Sequence, residues 1–318
     1  MTRGIAFLGS GLATQLHSKT LKAISPNVHC WYASRDPNLA KRTSERFNAA
    51  GHFLGYADAV NSPEVDVILI ALPPALHLEW TLKALEAGKH VIVEKPPFRN
   101  TQEMKAVEEA ARKAGKQIMV AENYFYKPLT SLLRRIIGQG ELGNIRFIHL
   151  NALKYQQTNN WRDQSELACG GALFEGGIHW INLLANISLT PCRIQASLPG
   201  KALPGTERNA LVTIEYEEGA VASLFYSWDL SSVINGVRFS KIYGTLGSIW
   251  FETNGTFACI TGRHPRIIVG NLRDLSGHKA MLIDFFGAIE ENRQPLYDFK
   301  SAYRDLELIE QAYSSVTS

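Results

Sequence analysis

Several small groups of residues along this chain have the types and spacing to do chemistry. Gly9-Ser10-Gly11 directly follows a short apolar run, Ile5 to Leu8, and precedes a helix-length segment that opens at Leu12. Glycines at a strand-to-helix turn let the backbone approach a pyrophosphate, which sits at the positive end of the helix. The third position of that dinucleotide fingerprint is Thr14 rather than Gly or Ala, which predicts slightly looser helix–strand packing. The next strand candidate ends in Ala33-Ser34-Arg35, where an NAD-binding turn usually carries an acid for the ribose 2′-hydroxyl. A guanidinium there suits a 2′-phosphate, so NADP(H) is favoured; NAD(H) is the alternative, with Arg35 as a solvated residue stacking on adenine. Lys95 lies just past Val91-Ile92-Val93. At the end of a central strand a lysine can hydrogen-bond a reacting oxygen and exchange its proton, or simply pair with Glu94 at the surface. Glu175 and His179 are four apart, one turn along a helix face, and flanked by Gly170, Gly171, Gly176 and Gly177. A carboxylate and an imidazole so placed can handle a proton and orient hydroxyls, or can be core residues of a helix packed on a sheet. Two ligands on one helix lack an evident third, so no metal site is expected.

The elements that must position these groups alternate through the first third. Strands are expected at Ile5–Leu8, Val28–Ala33, Val65–Leu72, Val91–Val93 and Gln117–Val120. Helices are expected from Leu12, from Asp36-Pro37, through Leu78, Leu82 and Leu85 to Gly88, and over Thr101–Ala114. The run VDVILIAL is almost wholly apolar, as a strand buried on both faces is. Repeated strand–helix units imply a doubly wound parallel sheet. Beyond about residue 140 the period changes to two. Strand-like runs recur near 145–153, 192–198, 208–216, 220–229, 237–243, 248–252, 256–261 and 266–270, with helices near 172–186, 278–292 and 300–315. The fold class is therefore α/β: an N-terminal Rossmann doubly wound parallel sheet over 1–121, then an α+β domain over 122–318 with a large open, mainly antiparallel sheet.

With 318 residues, 45% apolar and 20% charged, the chain has ordinary globular composition and room for two cores. A net charge of +3 gives no reason to expect nucleic acid or a membrane surface as a partner. No apolar run reaches the length of a membrane span, and the start lacks a signal peptide's apolar core, so a cytoplasmic protein is expected. Cys30, Cys169, Cys192 and Cys259 form no C-x-x-C and are expected to be reduced thiols.

At Glu94-Lys95-Pro96, directly after Val91-Ile92-Val93, the chain resembles the Gfo/Idh/MocA family. Further matches follow in order. Ala71-Leu72-Pro73-Pro74 with His77 is similar to the family's cofactor loop, and Ala121-Glu122-Asn123-Tyr124 to the loop joining its domains. Trp161-Arg162 resembles its W-R pair, and Gly170 to His179 its G-G-x-L-x-D-x-G-x-H signature. Gly244-Thr245-Leu246-Gly247-Ser248 matches its G-T-x-G-S turn. Two positions depart: Glu175 and Asn182 stand where the family commonly has Asp.

The resemblance implies an NAD(P)-dependent oxidoreductase acting on a sugar, cyclitol or related keto or polyhydroxy compound. Hydride transfer needs a carbinol carbon held against the nicotinamide and a place for the proton. The resemblance implies Lys95, His179 and Glu175 as the catalytic residues, converging on one pocket. It implies cofactor contacts from Gly9, Ser10, Gly11, Leu12, Ser34, Arg35, Leu72, Pro73, His77, Glu94, Lys95, Asn123, Trp161 and Arg162. Substrate contacts are implied for Lys95, Tyr124, Lys154, Tyr155, Glu175 and His179, with Asn159 a weaker candidate. Relatives pair through the open sheet, so a homodimer or homotetramer is expected. Two other classes stay open: a non-catalytic dinucleotide-binding regulator, and a hydrolase or lyase that uses a tightly held nicotinamide transiently.

Overall fold

The computed structural model describes residues 4–25, 27–200, 205–231, 236–271 and 273–316. It divides into two compact units, Met1–Glu122 with His278–Tyr303 and Asn123–Gly277 with Arg304–Ser318. The first break lies beside the 121/122 boundary read from the change of period. Chain order placed 278–303 with the second domain, but the structure groups it with the first. The reason is packing: the helix that opens at His278 lies against the first helix of the chain, and Phe299 packs on Phe98 with ring centroids 6.4 Å apart.

In the first unit the elements run β1 (Gly4–Leu8), α1 (Leu12–Ile24), β2 (His29–Ala33), α2 (Pro37–Phe47), β3 (Gly51–Phe53), α3 (Tyr56–Asn61), β4 (Val67–Ile70), α4 (His77–Glu86), β5 (His90–Val93), α5 (Thr101–Ala114) and β6 (Ile118–Val120). The strands form one parallel sheet in the order β3-β2-β1-β4-β5-β6. This is the doubly wound order, in which ligands bind outside the carboxyl ends of the strands near the point where the order reverses. Ile5–Leu8, Val67–Ile70 and Val91–Val93 are fully buried, as continuous apolar runs predict. The period-based reading missed β3 and α3, which are too short to show a period.

In the second unit come α6 (Asn123–Tyr126), α7 (Pro128–Gly138), β7 (Ile145–Leu153), α8 (Ser165–Ala168), α9 (Ile178–Ala185), β8 (Pro191–Ser197), β9 (Asn209–Tyr216), β10 (Val221–Ser227), β11 (Phe239–Gly244), β12 (Ser248–Glu252), β13 (Phe257–Ile260) and β14 (Arg266–Val269). The chain closes with α10 (His278–Glu290) and α11 (Phe299–Val316). All eight expected strands join one sheet, ordered β14-β13-β12-β11-β7-β10-β9-β8. Every pair is antiparallel except β7–β10, which is parallel. Alternation holds along the strands: Ile148, Leu150, Ala210, Val212, Ala222 and Leu224 are buried, while Phe147, Val221, Phe225 and Tyr243 lie on the other face, exposed. The Tyr216 hydroxyl donates to Leu184 O at 3.1 Å, tying β9 to α9 on the buried face.

The helix expected over 172–186 is two structures. Leu173–Gly177 is a π-helical turn, and only from Ile178 does an α-helix run. Glu175 and His179 therefore do not share one regular α-helical turn. The glycines explain the local shape. A Cβ on Gly176 would lie 2.1 Å from the Tyr226 hydroxyl, and one on Gly171 would lie 2.3 Å from the Glu207 carboxylate. These glycines, read as room for a ligand or a neighbouring backbone, are filled by side chains of this same unit. Gly176→Ala is expected to destabilise the protein by about 1–3 kcal/mol through overpacking. Tyr226→Phe in that background should recover part of the loss, so thermal melts of both single variants and the double variant should show clear non-additivity.

Candidate functional site

Within the first unit the glycine turn has one closed and one open glycine. Gly9 has φ +107°, donates to Ala33 O at 2.9 Å, and a Cβ on it would lie 2.4 Å from Ala71 O. At Gly11 a Cβ would meet nothing within 4 Å. No side chain caps α1, so its first N–H groups lack a side-chain acceptor. The Ser10 Oγ is buried and has no partner among the described residues, and Leu12 is 82% exposed. An open backbone cradle, an uncapped helix start and an orphaned hydroxyl fit a pyrophosphate. Thr14 does not loosen the packing as its size suggested. It is fully buried, and its hydroxyl donates to Gly9 O at 2.9 Å.

At the end of β2 the Ser34 Oγ accepts from the Asp36 N–H at 3.3 Å. The nearest acid, Asp36, caps α2 by accepting from the Asn38 N–H at 2.9 Å. Arg35 donates to the Tyr56 hydroxyl, and the Tyr56 ring meets Trp80 edge-on at 5.1 Å. Burial pushes the Tyr56 hydroxyl above its usual range, and Arg35 partly opposes this.

The loops after β4 and β5 are held together by His77, which is fully buried. Its Nε2 lies 2.8 Å from Leu72 O, and its Nδ1 lies 3.0 Å from both Pro96 O and Pro97 O. Burial pushes its pKa down, against the pull of these carbonyls and of Glu94. Both ring nitrogens are thus turned to the backbone, and His77 ties the loops of Leu72-Pro73 and Lys95-Pro96 together. Glu94 receives His17 Nε2 at 2.5 Å and the Lys95 N–H at 3.2 Å. Burial pushes the Glu94 carboxyl up, but the His17 hydrogen bond, with the electrostatic pull of His17, Lys95 and His278, outweighs it and holds the pKa at about 2.

Within the second unit Tyr124, Arg162, Glu175 and His179 form linked contacts. Glu175 is 4% exposed, and its Oε1 accepts from Arg162 Nε at 3.0 Å. The Arg162 guanidinium lies over the Trp161 ring at 4.6 Å, so the expected W-R pair stacks on itself. His179 stacks on Tyr124 at 4.3 Å and 14°, and the Lys127 ammonium lies 4.2 Å from the Tyr124 ring centroid. Tyr226 lies near enough to Glu175 that burial first, and that negative charge second, push its hydroxyl well up. The other candidates are placed differently. Asn123 Nδ2 donates to Ser276 O at 2.7 Å. The Lys154 N–H donates to Ser227 O at 3.0 Å, and Tyr155 is 65% exposed in a bridge with Asp229. Asn159 has φ +43°. Asn182, one of the two departures, is fully buried and donates to Asp305 Oδ2 at 2.6 Å, so it serves packing in its own unit.

Sequence reasoning passed over residues that hold these groups. His17 and Tyr56 bear on Glu94 and Arg35 as described. Glu207, 1% exposed, accepts the Leu173 N–H, the Gly205 N–H and the Tyr313 hydroxyl, each at 2.8 Å. Tyr313 in turn accepts the Phe174 N–H at 3.1 Å, so the start of the π-turn hangs on this pair. A polar residue on the apolar face of α1 is a usable signal for His17, whose neighbours Thr14, Ser18 and Leu21 are also buried. Glu207 carries no local signal.

Two family models match the chain. "Oxidoreductase family, NAD-binding Rossmann fold" covers residues 3–122, and "GFO/IDH/MocA C-terminal domain" covers residues 130–250. The chain is 31% identical over 200 residues to a dTDP-3,4-didehydro-2,6-dideoxy-alpha-D-glucose 3-reductase of Saccharopolyspora spinosa, covering 62% of this chain and 59% of that one. It is 27% identical over 287 residues to a levoglucosan dehydrogenase of Pseudarthrobacter phenanthrenivorans, covering 82% and 74%. Among solved structures, a levoglucosan dehydrogenase in complex with NADH and levoglucosan superposes with a TM-score of 0.87 at 23% identity, covering 100% of this chain and 98% of that one. An oxidoreductase domain protein from Kribbella flavida superposes with a TM-score of 0.88 at 20% identity, with the same coverage. With both family models in chain order on the Rossmann sheet and the eight-stranded sheet, the chain belongs to the Gfo/Idh/MocA family of oxidoreductases.

Proposed function

We propose that the protein is an NADP(H)-preferring oxidoreductase that moves a hydride to or from a sugar, cyclitol or related keto or polyhydroxy compound. The observation that carries this reading is Lys95 just past β5, on the strand edge that also carries the open turn at Gly11. The family membership and the sugar-directed names of the relatives support the substrate class. The dinucleotide, when bound, supplies or accepts the hydride. Lys95 donates a hydrogen bond to the reacting oxygen as charge develops on it. His179, oriented by its stack on Tyr124, exchanges the hydroxyl proton with the substrate. Glu175, held by Arg162, orients neighbouring hydroxyls. Among the expected cofactor contacts, Gly9, Ser10, Gly11, Leu12, Leu72 and Pro73 border the dinucleotide in this reading, and Tyr124, Lys154 and Tyr155 remain the second unit's candidates for substrate. A cytoplasmic location is part of the same proposal.

The cofactor preference rests on Arg35, with Asp36 spent on the α2 cap. Titration should show NADP(H) bound more tightly than NAD(H). Arg35→Asp should remove about 1.5–3 kcal/mol of that binding, because it replaces a charged donor with a repelling charge. Equal or tighter NAD(H) binding by the wild type would count against the preference.

The chemistry is tested by reduction of NADP+ or NAD+ over a panel of sugars and cyclitols, and by oxidation of NADPH or NADH over keto-sugars. Lys95→Ala should lower kcat about 100–1,000-fold with dinucleotide Kd nearly unchanged. His179→Ala should lower it about 100–10,000-fold, while Glu175→Gln should act mainly on KM. Near-normal kcat in both alanine variants would overturn the assignment. Tight dinucleotide binding with no turnover across the panel would favour the regulator reading.

The outer face of the eight-stranded sheet carries Phe147, Phe225, Phe239, Tyr243, Trp250 and Ile267, and Phe239 stacks on Trp250 at 4.5 Å. An apolar, aromatic face of this kind supports self-association as a homodimer or homotetramer through this sheet. Sedimentation velocity at micromolar concentration should show an oligomer, and Phe147→Glu with Tyr243→Glu should shift it to monomer. A wild-type monomer would rule the assembly out.

A further inference from the structure

We propose that His17 is a positioning residue for Lys95, acting through the Glu94 carboxylate. The inference rests on the reading of Lys95 as the donor to the reacting oxygen. His17 lies on the buried face of α1, 1% exposed, and its Nε2 sits 2.5 Å from Glu94 Oε1. A carboxylate only accepts, so Nε2 carries the proton of this bond. The His17 Nδ1 is buried with no partner among the described residues, so the ring's one polar contact there is to Glu94. The other carboxylate oxygen, Oε2, accepts the Lys95 backbone N–H at 3.2 Å. One side chain on the dinucleotide-facing helix thus fixes the carboxylate that fixes the backbone of Lys95. On the far side of Lys95, His77 holds the carbonyls of Pro96 and Pro97. Lys95 is gripped before and after by two buried imidazoles, and only the grip before it depends on an ionised group.

The charged and titratable groups facing Glu94 come from each element around it. They are His17 from α1, His77 from α4, Lys95 from its own loop and His278 from the start of α10. The His278 ring meets the His17 ring edge-on at 5.6 Å and 67°. Burial alone favours the neutral carboxyl, and the His17 hydrogen bond, with the electrostatic pull of His17, Lys95 and His278, reverses that preference. Without His17, burial would dominate. Glu94 would take up a proton as pH falls through a raised pKa, and a neutral carboxyl is a weaker acceptor for the Lys95 N–H.

The test uses the full chain with saturating NADP+. In the wild type, carbon-13 NMR of labelled glutamate should show Glu94 ionised down through pH 4, with no Glu94-linked movement of the Lys95 amide resonance above that pH. In His17→Phe, Glu94 should titrate above about pH 5, and the Lys95 amide resonance should follow it. His17→Gln, whose amide can donate to Glu94, should restore part of the wild-type behaviour. With the substrate that the panel identifies, His17→Phe should lower kcat about tenfold or more and raise the acid limb of the pH profile. NADP+ Kd should stay within about threefold, because the open turn at Gly11 is untouched. A Glu94 titration unchanged by His17→Phe overturns the proposal. So does a fall in kcat matched by an equal loss of NADP+ affinity, which a merely structural role of α1 would give. If the wild type turns over nothing in the panel, the functional reading fails on its own, and the NMR titration still decides the role of His17.

Discussion

The ligand edge of the first unit depends on one buried imidazole. A parallel sheet leaves its loops to begin at the carboxyl ends of strands, where backbone carbonyls lose their ladder partners and must find others. His77 gathers carbonyls from two such loops, Leu72 O after β4 and Pro96 O and Pro97 O after β5. The Leu72-Pro73 turn and the Lys95-Pro96 turn are therefore one construction. The ring is held between opposed demands. Acceptors on both sides favour the doubly protonated form, while full burial favours the neutral one and pushes its pKa down. A neutral ring can donate to only one side. The nearby carboxylate of Glu94 eases this conflict by favouring the positive form.

Much of this edge was legible in the sequence because its signals are local. Gly9-Ser10-Gly11 between an apolar run and a helix, and Lys95 after Val91–Val93, are read within a dozen residues, and the structure puts both at strand ends of one sheet. The eight strands of the second unit were legible for the same reason, since inward and outward residues alternate with period two. What escaped was non-local. His17 meets Glu94 across 77 positions, and Glu207 reaches Tyr313 across 106. No window holds both partners. The π-turn at Leu173–Gly177 escaped because the groups packed against it, the Tyr226 hydroxyl beside Gly176 and the Glu207 carboxylate beside Gly171, come from distant parts of the chain.

The second unit's polar centre is organised around charge that is buried in different ways. Glu175 is held by a guanidinium that also covers Trp161, whereas Glu207 accepts from N–H and hydroxyl donors. Burial accordingly pushes the Glu207 carboxyl up despite those hydrogen bonds. Glu175 sits in the turn with Arg162 as its partner, and Glu207 anchors the start of that same turn through the Leu173 N–H. The exchange of Asp for Glu at 175 is accommodated by the reach of Arg162, and the amide at Asn182 is accommodated by Asp305, so both departures have partners within the unit.

The single parallel pair in the eight-stranded sheet has a consequence for how the chain finds its fold. β8, β9 and β10 can pair as a local meander, and so can β11 through β14, because each strand meets its sequence neighbour. β7 alone joins the two ribbons, lying between β10 and β11. His149 of β7 pairs with Ser223, 74 positions later, and with Lys241 farther on. Each ribbon completes its inner edge only by pairing with β7, the first-made strand of the sheet, through β10 on one side and β11 on the other. Closure entropy of that order slows assembly, and it leaves two unfinished sheet edges exposed in the interval. On a ribosome, β7 emerges before any strand able to receive it, which makes the keystone of this sheet the piece that must stay unpaired the longest.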